Sequence, residues 1–521
     1  MAQKKKQWIA IIMMFFLFAM IAFVTNLCSP MAVIVKNQFH ASSFAAQLGN
    51  AANFIAYLVM GIPSGMLLKK FGYKKTALLA IFIGILGVFI QYMSGWDSIE
   101  SFWVYLLGAF IAGFCMCMLN TVVNPMLNTM GGGGNKGNQL VQFGGVCNSL
   151  AAVAVTIIMG SLIADAAHAK IEDATPALIA AITVFVIAFI ILTFTVIEEP
   201  KQEDEATDSD NAVQKVERKY GAFSFRHFNL GILAIFLYMG LEVGPPTYAL
   251  QYLTADTPEI ITKKAEVLNQ HKGKDPKLAA IAYHKVTTNH DSIMNLKQED
   301  YPDNEKGRAD SILVADLEED IITTAEHIEK GILTAEVQEN EEAGVMMNAT
   351  IAGGIVAIYW FLMLIGRFIG GMIGAKVSSR KQVSFCAIMA IILLLLGIFL
   401  PKDITFNMPG IDWGKMQIVW GKTPIGVLFF VLVGLCTSVM WGGIFNMSVE
   451  GLGKYTSIAS GAFMTMVFGG GILIPLQGWL ADITNSYILS YIIPLSCAAY
   501  ILFYALIGSR PAKAVKATAN E

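Results

Sequence analysis

The sequence predicts an all-α membrane protein with twelve transmembrane helices in two pseudo-symmetric six-helix bundles and a helical insert outside the membrane. Four observations lead there. Twelve runs long enough to cross a bilayer are uncharged except for Glu242 and Arg367. Mean hydropathy is +0.58. Charged residues make up 14% of the chain, against about 25% in soluble globular proteins. The two sets of six runs also share a basic loop in the same position.

The first set is 8–35, 41–68, 76–96, 101–135, 137–164 and 174–197. The second is 227–255 (holding Glu242), 343–375 (holding Arg367), 382–401, 423–449, 455–481 and 483–509. About 20 apolar residues cover a hydrocarbon core of ~30 Å, and lipid leaves no partner for open backbone groups, so each run is predicted helical. The first run is too long for a signal-peptide core and is expected to stay as an anchor. All seven cysteines fall inside apolar runs and none forms a C-x-x-C pair, so neither a structural disulfide nor a zinc or redox site is expected.

The expected organisation is an N-terminal bundle over 1–197, a cytoplasmic linker over 198–226, helix 7 over 227–253 and an extracytoplasmic insert over 254–345. Helices 8–12 follow over 346–509, with a cytoplasmic tail over 510–521. Orientation follows from Lys and Arg in the short connections. Fifteen lie on the side of the N-terminus, including Lys69, Lys70, Lys74, Lys75, Lys376, Arg380 and Lys381, against five on the other side. Both termini are therefore expected in the cytoplasm, with the chain in the cell (inner) membrane.

The insert carries 20 acidic and 10 basic residues, which leaves the rest of the chain at +7, suited to an anionic inner leaflet. Within it, 277–289 and 309–338 have helical apolar spacing. His271, His284, His290 and His327 are scattered without metal-ligand spacing, so no metal site is expected, and no cofactor. The insert reads as a solvated helical cap; a gating lid or a docking surface for an extracytoplasmic partner has no residue support.

The halves repeat at an offset of 306 residues. Gly65-Met-Leu-Leu-Lys-Lys-Phe-Gly-Tyr-Lys-Lys75 and Gly371-Met-Ile-Gly-Ala-Lys-Val-Ser-Ser-Arg-Lys381 both fit G-M-x-x-x-K-x-x-x-[KR]-K. Spans 5 and 11 also end alike, in Gly160-Ser-Leu-Ile-Ala-Asp165 and Gly478-Trp-Leu-Ala-Asp482. Such repetition is the pattern of a duplicated transporter, and Lys69, Lys70, Lys74, Lys75, Lys376, Arg380 and Lys381 are its expected gating or structural residues.

Amides indicate which helices face inward, because Asn and Gln are costly against lipid. Span 2 has Gln47, Asn50, Asn53 and Tyr57 in a stripe; span 4 has Asn120, Asn124 and Asn128 at i, i+4 and i+8. Span 1 adds Asn26 and Ser29, span 5 Gln139, Gln142 and Asn148, and span 10 Asn446. Spans 3, 6, 9 and 12 are amide-poor, so they are expected to shield the others from lipid. A single amide is as readily interhelical glue, worth about 0.6 kcal/mol; the two stripes together point to a cavity. The expected substrate-binding residues are Asn26, Asn50, Asn53, Asn120, Asn124, Gln142, Asn148, Tyr248, Trp441 and Asn446. Neutral amides offer donors and acceptors to a polyhydroxy solute, and Trp441 or Tyr248 could stack on its apolar face.

An ionised carboxylate at Glu242, near the middle of span 7, is penalised by roughly 2.5 to 3.5 kcal/mol on insertion scales. Two roles fit it: a carrier of the coupling cation in symport, or a structural carboxylate bonded to neighbouring spans. Moving one charge inward is worth about 2.3 kcal/mol per 100 mV, enough for roughly fifty-fold accumulation. Arg367, about six helix turns below the outer end of span 8, reads as a structural residue that packs and hydrogen-bonds near a helix terminus. Pro245 and Pro246 are expected to break or bend span 7 and free its outer half as a gate. Gly469–Gly471 and Gly144–Gly145 permit close helix approach or bending.

Particular segments resemble a known family. Met66-Leu-Leu-Lys-Lys-Phe-Gly-Tyr-Lys74, Asn124-Pro125, Phe236-Leu-Tyr-Met-Gly-Leu-Glu242, Gly366-Arg-Phe-Ile-Gly370, Gly451-Leu-Gly-Lys-Tyr-Thr-Ser457 and Gly469-Gly-Gly-Ile-Leu-Ile-Pro475 are similar to the major facilitators. Within them they resemble the fucose, glucose and galactose symporters. The resemblance spans nearly all twelve runs and omits the tails, linker and insert. It implies inward transport of a monosaccharide by alternating access, often proton-driven, with the sugar, a proton or sodium, and the lipid bilayer as partners. Fucose-type members carry acids in spans 1 and 4 where Ser29 and Asn120 stand here, so that proton route does not carry over. Glu242 matches the glucose and galactose branch, and Asn148 matches a sugar-contacting amide of the fucose branch.

Another neutral solute, such as an N-acetylated amino sugar or a nucleoside, would suit the same lining. A sugar sensor or assembly platform is the rival from another class. An enzyme is not expected, since no Walker A, H-E-x-x-H or clustered His and carboxylate motif occurs.

Overall fold

The computed structural model describes residues 2–38, 48–96, 98–99, 101–162, 171–195, 222–286, 321–339, 343–412 and 417–510. The apolar runs form helices. Span 1 is Ala2–Gln38. Spans 2 and 3 share one stretch, Leu48–Met93, broken at Gly72, whose φ of 78° is a left-handed conformation that suits glycine. Spans 4, 5 and 6 are Phe102–Met130, Gly134–Leu162 and Ile171–Phe194. Spans 7, 8 and 9 are Arg226–Thr254, Ala349–Gly374 and Ser379–Phe399.

The last three spans are segmented. Span 10 is Ile425–Thr437 followed by Met440–Val449. Span 11 joins Thr456–Thr465 to Gly469–Thr484 through the 3-10 turn Met466–Phe468. Span 12 is Tyr487–Ser490, Ile492–Phe503 and a π-helical turn, Tyr504–Gly508. Among the described residues ten helices are long and apolar enough to cross a membrane. Counting Ala51–Met93 as two and adding Gly134–Leu162 recovers the twelve expected spans. The chain is an integral membrane protein.

Three local expectations are corrected. Residues 405–424, read as connection running into span 10, form an antiparallel hairpin of β1 (Thr405–Asp412) and β2 (Gln417–Pro424), with Met408 opposite Gly421. It lies against span 8, where a Cβ on Gly354 would come 2.9 Å from Val419. The insert contains an unanticipated helix, Pro258–Gln270, and its 309–338 segment is not one helix. Residues 321–329 are helical, the chain turns at Gly331 (φ 67°), and Ala335–Glu339 follows; 309–320 lie outside the described residues. Finally, span 7 runs helical through Pro245 and Pro246.

The chain divides into two compact units. The first takes in Met1–Thr247, Gly353–Gln477 and Tyr491–Glu521. Small residues let its spans approach closely. A Cβ on Gly87 would come 2.5 Å from the Ala112 nitrogen, and one on Gly469 would run into the Phe236 carbonyl. Spans 6 and 9, expected to face lipid, bury 33% of their most apolar stretch, against 67% for spans 10 and 11; span 8, at 39%, departs from that pattern.

The repeated basic loops do the same work in both halves. Lys74 donates to the Thr193 and Thr195 carbonyls (2.8 and 2.9 Å) at the end of span 6. Arg380, its counterpart at the 306-residue offset, bonds Ser509 Oγ and O (2.9 and 3.1 Å) at the end of span 12. A cation suits the carbonyl end of a helix.

The second unit is Tyr248–Ala352 with Gly478–Ser490. Its helix Pro258–Gln270 buries Ile261, Ala265 and Leu268, one face at helical spacing. Ala280 and Ile321 form a small core with Ile281, Ala325 and Ile328. Lys264 pairs with Asp256 at 2.6 Å and lies over the Tyr283 ring. The Tyr283 hydroxyl in turn donates to Gln338 Oε1.

Candidate functional site

Span 7 sets Tyr238 and Glu242 one turn apart on a single face. The Tyr238 hydroxyl donates to the Thr437 carbonyl at 3.3 Å and lies beside the Glu242 carboxylate. The next turn brings Pro245 and Pro246, which lack the N–H groups that would bond the carbonyls of Leu241 and Glu242. Tyr359 of span 8 stands in for them. Its hydroxyl lies 2.8 Å from Glu242 O, 3.5 Å from Leu241 O and 3.2 Å from Thr437 Oγ1. Thr247 Oγ1 donates to Val243 O at 2.7 Å. The Tyr359 hydroxyl thus supplies from the neighbouring span a donor to the Glu242 carbonyl that Pro246 leaves without an N–H.

Arg367 lies two turns from the end of span 8, where packing and hydrogen bonding are expected of it, and it also pairs with Glu242. Its Nη2 is 3.4 Å from Glu242 Oε1, and the two side chains are 13% and 12% exposed. Nη1 donates to Ser149 Oγ at 2.7 Å and to Gly145 O at 3.2 Å on span 5. Removing one member of such a buried pair costs about 3–5 kcal/mol, because the other charge stays behind. Ser149, Tyr359 and Thr437 have no distinguishing signal in the sequence; Tyr238, four residues before Glu242, could have been found.

The amide stripes meet this pair through a chain of contacts. Asn120 donates to the Tyr57 hydroxyl (2.7 Å), and Asn124 Nδ2 donates to Asn120 O (2.9 Å). Trp441 Nε1 donates to Asn124 Oδ1 at 3.3 Å. The Trp441 ring is 6.0 Å from that of Tyr238, whose hydroxyl touches Glu242. One polar path therefore links spans 2, 4, 10, 7, 8 and 5. Asn53 is buried beside it, its Oδ1 facing Gly113 of span 4.

Other expected binding residues bond backbone carbonyls, Asn26 within its own helix. Gln142 donates to Val439 O (2.9 Å), Asn148 to Phe18 O (3.1 Å) and Asn26 to Ala22 O (2.8 Å). Asn446 bonds Ser379 Oγ (2.8 Å) and Gly134 O (3.2 Å) and so does not join the path. Tyr248 belongs to the second unit, where its hydroxyl faces Gly478. The Asn50 side chain, with Ser29 and Gln47, lies outside what is described. Lys69, Lys70, Lys75, Lys376 and Lys381 are exposed.

Where the halves touch, the contacts are tight. A Cβ on Gly61 of span 2 would run into Thr465 of span 11, and one on Gly65 would come 2.7 Å from Ser457 O. Span 5 meets span 8 through Gln139, which donates to Gly371 O at 3.0 Å.

Residues 14–256 match the Major Facilitator Superfamily. The chain is 24% identical over 515 residues to a glucose/galactose transporter of Brucella abortus, covering 98% of this chain and 96% of the relative. It is 20% identical over 525 residues to the L-fucose-proton symporter of Escherichia coli, covering 95% and 92%. The crystal structure of the major facilitator FucP in its outward conformation matches with a TM-score of 0.66 at 18% identity, over 97% of this chain and 100% of that one.

Proposed function

We propose that this chain, a major facilitator by its matched domain and its fold, imports a hexose-like monosaccharide by alternating access in symport with a proton. The observation that carries this reading is the polar path itself. Neutral amides and an indole at Asn120, Asn124 and Trp441 suit vicinal hydroxyls and a sugar's apolar face, and the path ends on one carboxylate, Glu242, able to take up a cation. The relatives' names, a glucose/galactose transporter and an L-fucose-proton symporter, support the same substrate class and co-substrate. The excess of Lys and Arg on the side of the termini supports an inner-membrane protein with both ends in the cytoplasm. The 254–345 insert then lies outside.

Uptake of a labelled sugar panel into proteoliposomes tests the reading, first with and without a protonophore and then with sodium withdrawn. Concentrative hexose uptake that collapses with the protonophore is expected. No carbohydrate flux at all would overturn the proposal, and loss on sodium withdrawal alone would replace the proton. Deleting 258–341 with a short linker is expected to preserve membrane insertion and some sugar binding, read by size-exclusion profile and ligand-induced thermal shift.

A further inference from the structure

We propose that Arg367 is a latch between the two six-span halves, fastened while Glu242 is ionised and released when Glu242 takes up a proton. This rests on Glu242 being the coupling carboxylate of the transport reading. Span 8 belongs to the C-terminal half and span 5 to the N-terminal half. One guanidinium holds both, bonding Ser149 Oγ and Gly145 O on span 5 while pairing with Glu242 on span 7. A Cβ on Gly145 would come 3.2 Å from Arg367 Cδ. Further along the same seam, Gln139 bonds Gly371 O, and Phe143 faces Gly371.

The groups facing Glu242 are Tyr238 from its own helix and Arg367 and Tyr359 from span 8, and both tyrosines bond Thr437 of span 10. Among them Arg367 is the cation, and a guanidinium does not give up its proton. When Glu242 is protonated, that charge remains in a site 12–13% exposed, with only a hydroxyl and a carbonyl dipole left to it on span 5. A buried cation without its counter-charge is strongly disfavoured. Water relieves it where spans 5 and 8 part, so protonation loosens this seam and deprotonation closes it. Arg367 is thereby a positioning residue that converts the charge of Glu242 into a contact between halves.

The test reads the seam without any sugar. Spin labels on Lys136→Cys and Met372→Cys, at exposed positions of spans 5 and 8, report its width in the full chain in lipid nanodiscs at pH 5.5 and 8. Acidification is expected to raise the longer-distance population several-fold in the chain with native 242 and 367. Glu242→Gln should show that population at both pH values, and Glu242→Gln/Arg367→Gln should lose it at both. An unchanged distribution in the native background, or a native response in Arg367→Gln, overturns the latch. If Arg367→Gln does not fold, Arg367→Lys serves: it keeps the charge but loses the fork, so a response reduced several-fold supports the latch and a full one overturns it. Hexose uptake measured separately distinguishes the two proposals. A pH-responsive seam without uptake removes the sugar and keeps the latch, whereas uptake without a responsive seam does the reverse.

Discussion

The two halves repeat one scaffold, yet they bring different chemistry to the polar path. The N-terminal six spans supply Tyr57, Asn120 and Asn124, all neutral. The C-terminal six supply the ion pair Glu242–Arg367 and the rings of Trp441, Tyr238 and Tyr359. An amide tolerates burial when each atom finds a partner, whereas a charge needs a counter-charge as well. Placing both charges in one half lets them neutralise each other locally and leaves the other half free for hydrogen-bond recognition. In the proposed function the N-terminal half supplies the amides that meet the sugar's hydroxyls, and the C-terminal half supplies the stacking indole of Trp441 and the coupling pair.

That division can be broken at several points. The largest effect is expected at Glu242: Glu242→Gln should abolish concentrative uptake under a proton gradient while exchange continues, and unchanged accumulation in vesicles would refute a coupling role. Asn124→Ala strips partners from Trp441 and Asn120 in a fully buried setting. At about 1–2 kcal/mol it should raise KM roughly tenfold while the accumulation ratio at saturating sugar holds. A lost ratio with unchanged KM would erase the distinction between halves. Tyr359→Phe should leave the Glu242 carbonyl, which Pro246 cannot bond, short of a donor and lower stability by about 1–3 kcal/mol, seen as a fall in Tm. Lys74→Gln and Arg380→Gln should each cost only about 0.3–1 kcal/mol, and by similar amounts, because each removes a cation from a helix end. Unequal costs would show that the repeat is not equivalent there.

Much of this was legible in the sequence because lipid imposes a simple rule on length and charge. The twelve runs, the repeat and the stripe of Asn120 and Asn124 follow from it. What stayed hidden needs distance information. Glu242 and Arg367 lie 125 positions apart on different helices, and no periodicity connects them. The hairpin 405–424 was obscured by Pro409 and Gly410, which read as turn residues although Gln417-Ile-Val-Trp420 has strand character. Pro245 and Pro246 pointed to a broken helix because a local rule cannot see Tyr359 on another span. Gln142, Asn148 and Asn26 show the limit of amide counting: each is tied to a backbone carbonyl, and residue type alone does not tell a tie from a ligand.

Lys74 and Arg380 carry a consequence of a different kind. Each fastens the loop after the second helix of its half to the far end of the sixth, from positions that superpose under a single shift of register. The same brace recurs in both halves, whereas the buried amides and charges are shared unequally between them. The rim of each half is thus tied in the same way, which leaves the interior as the place where the two halves differ.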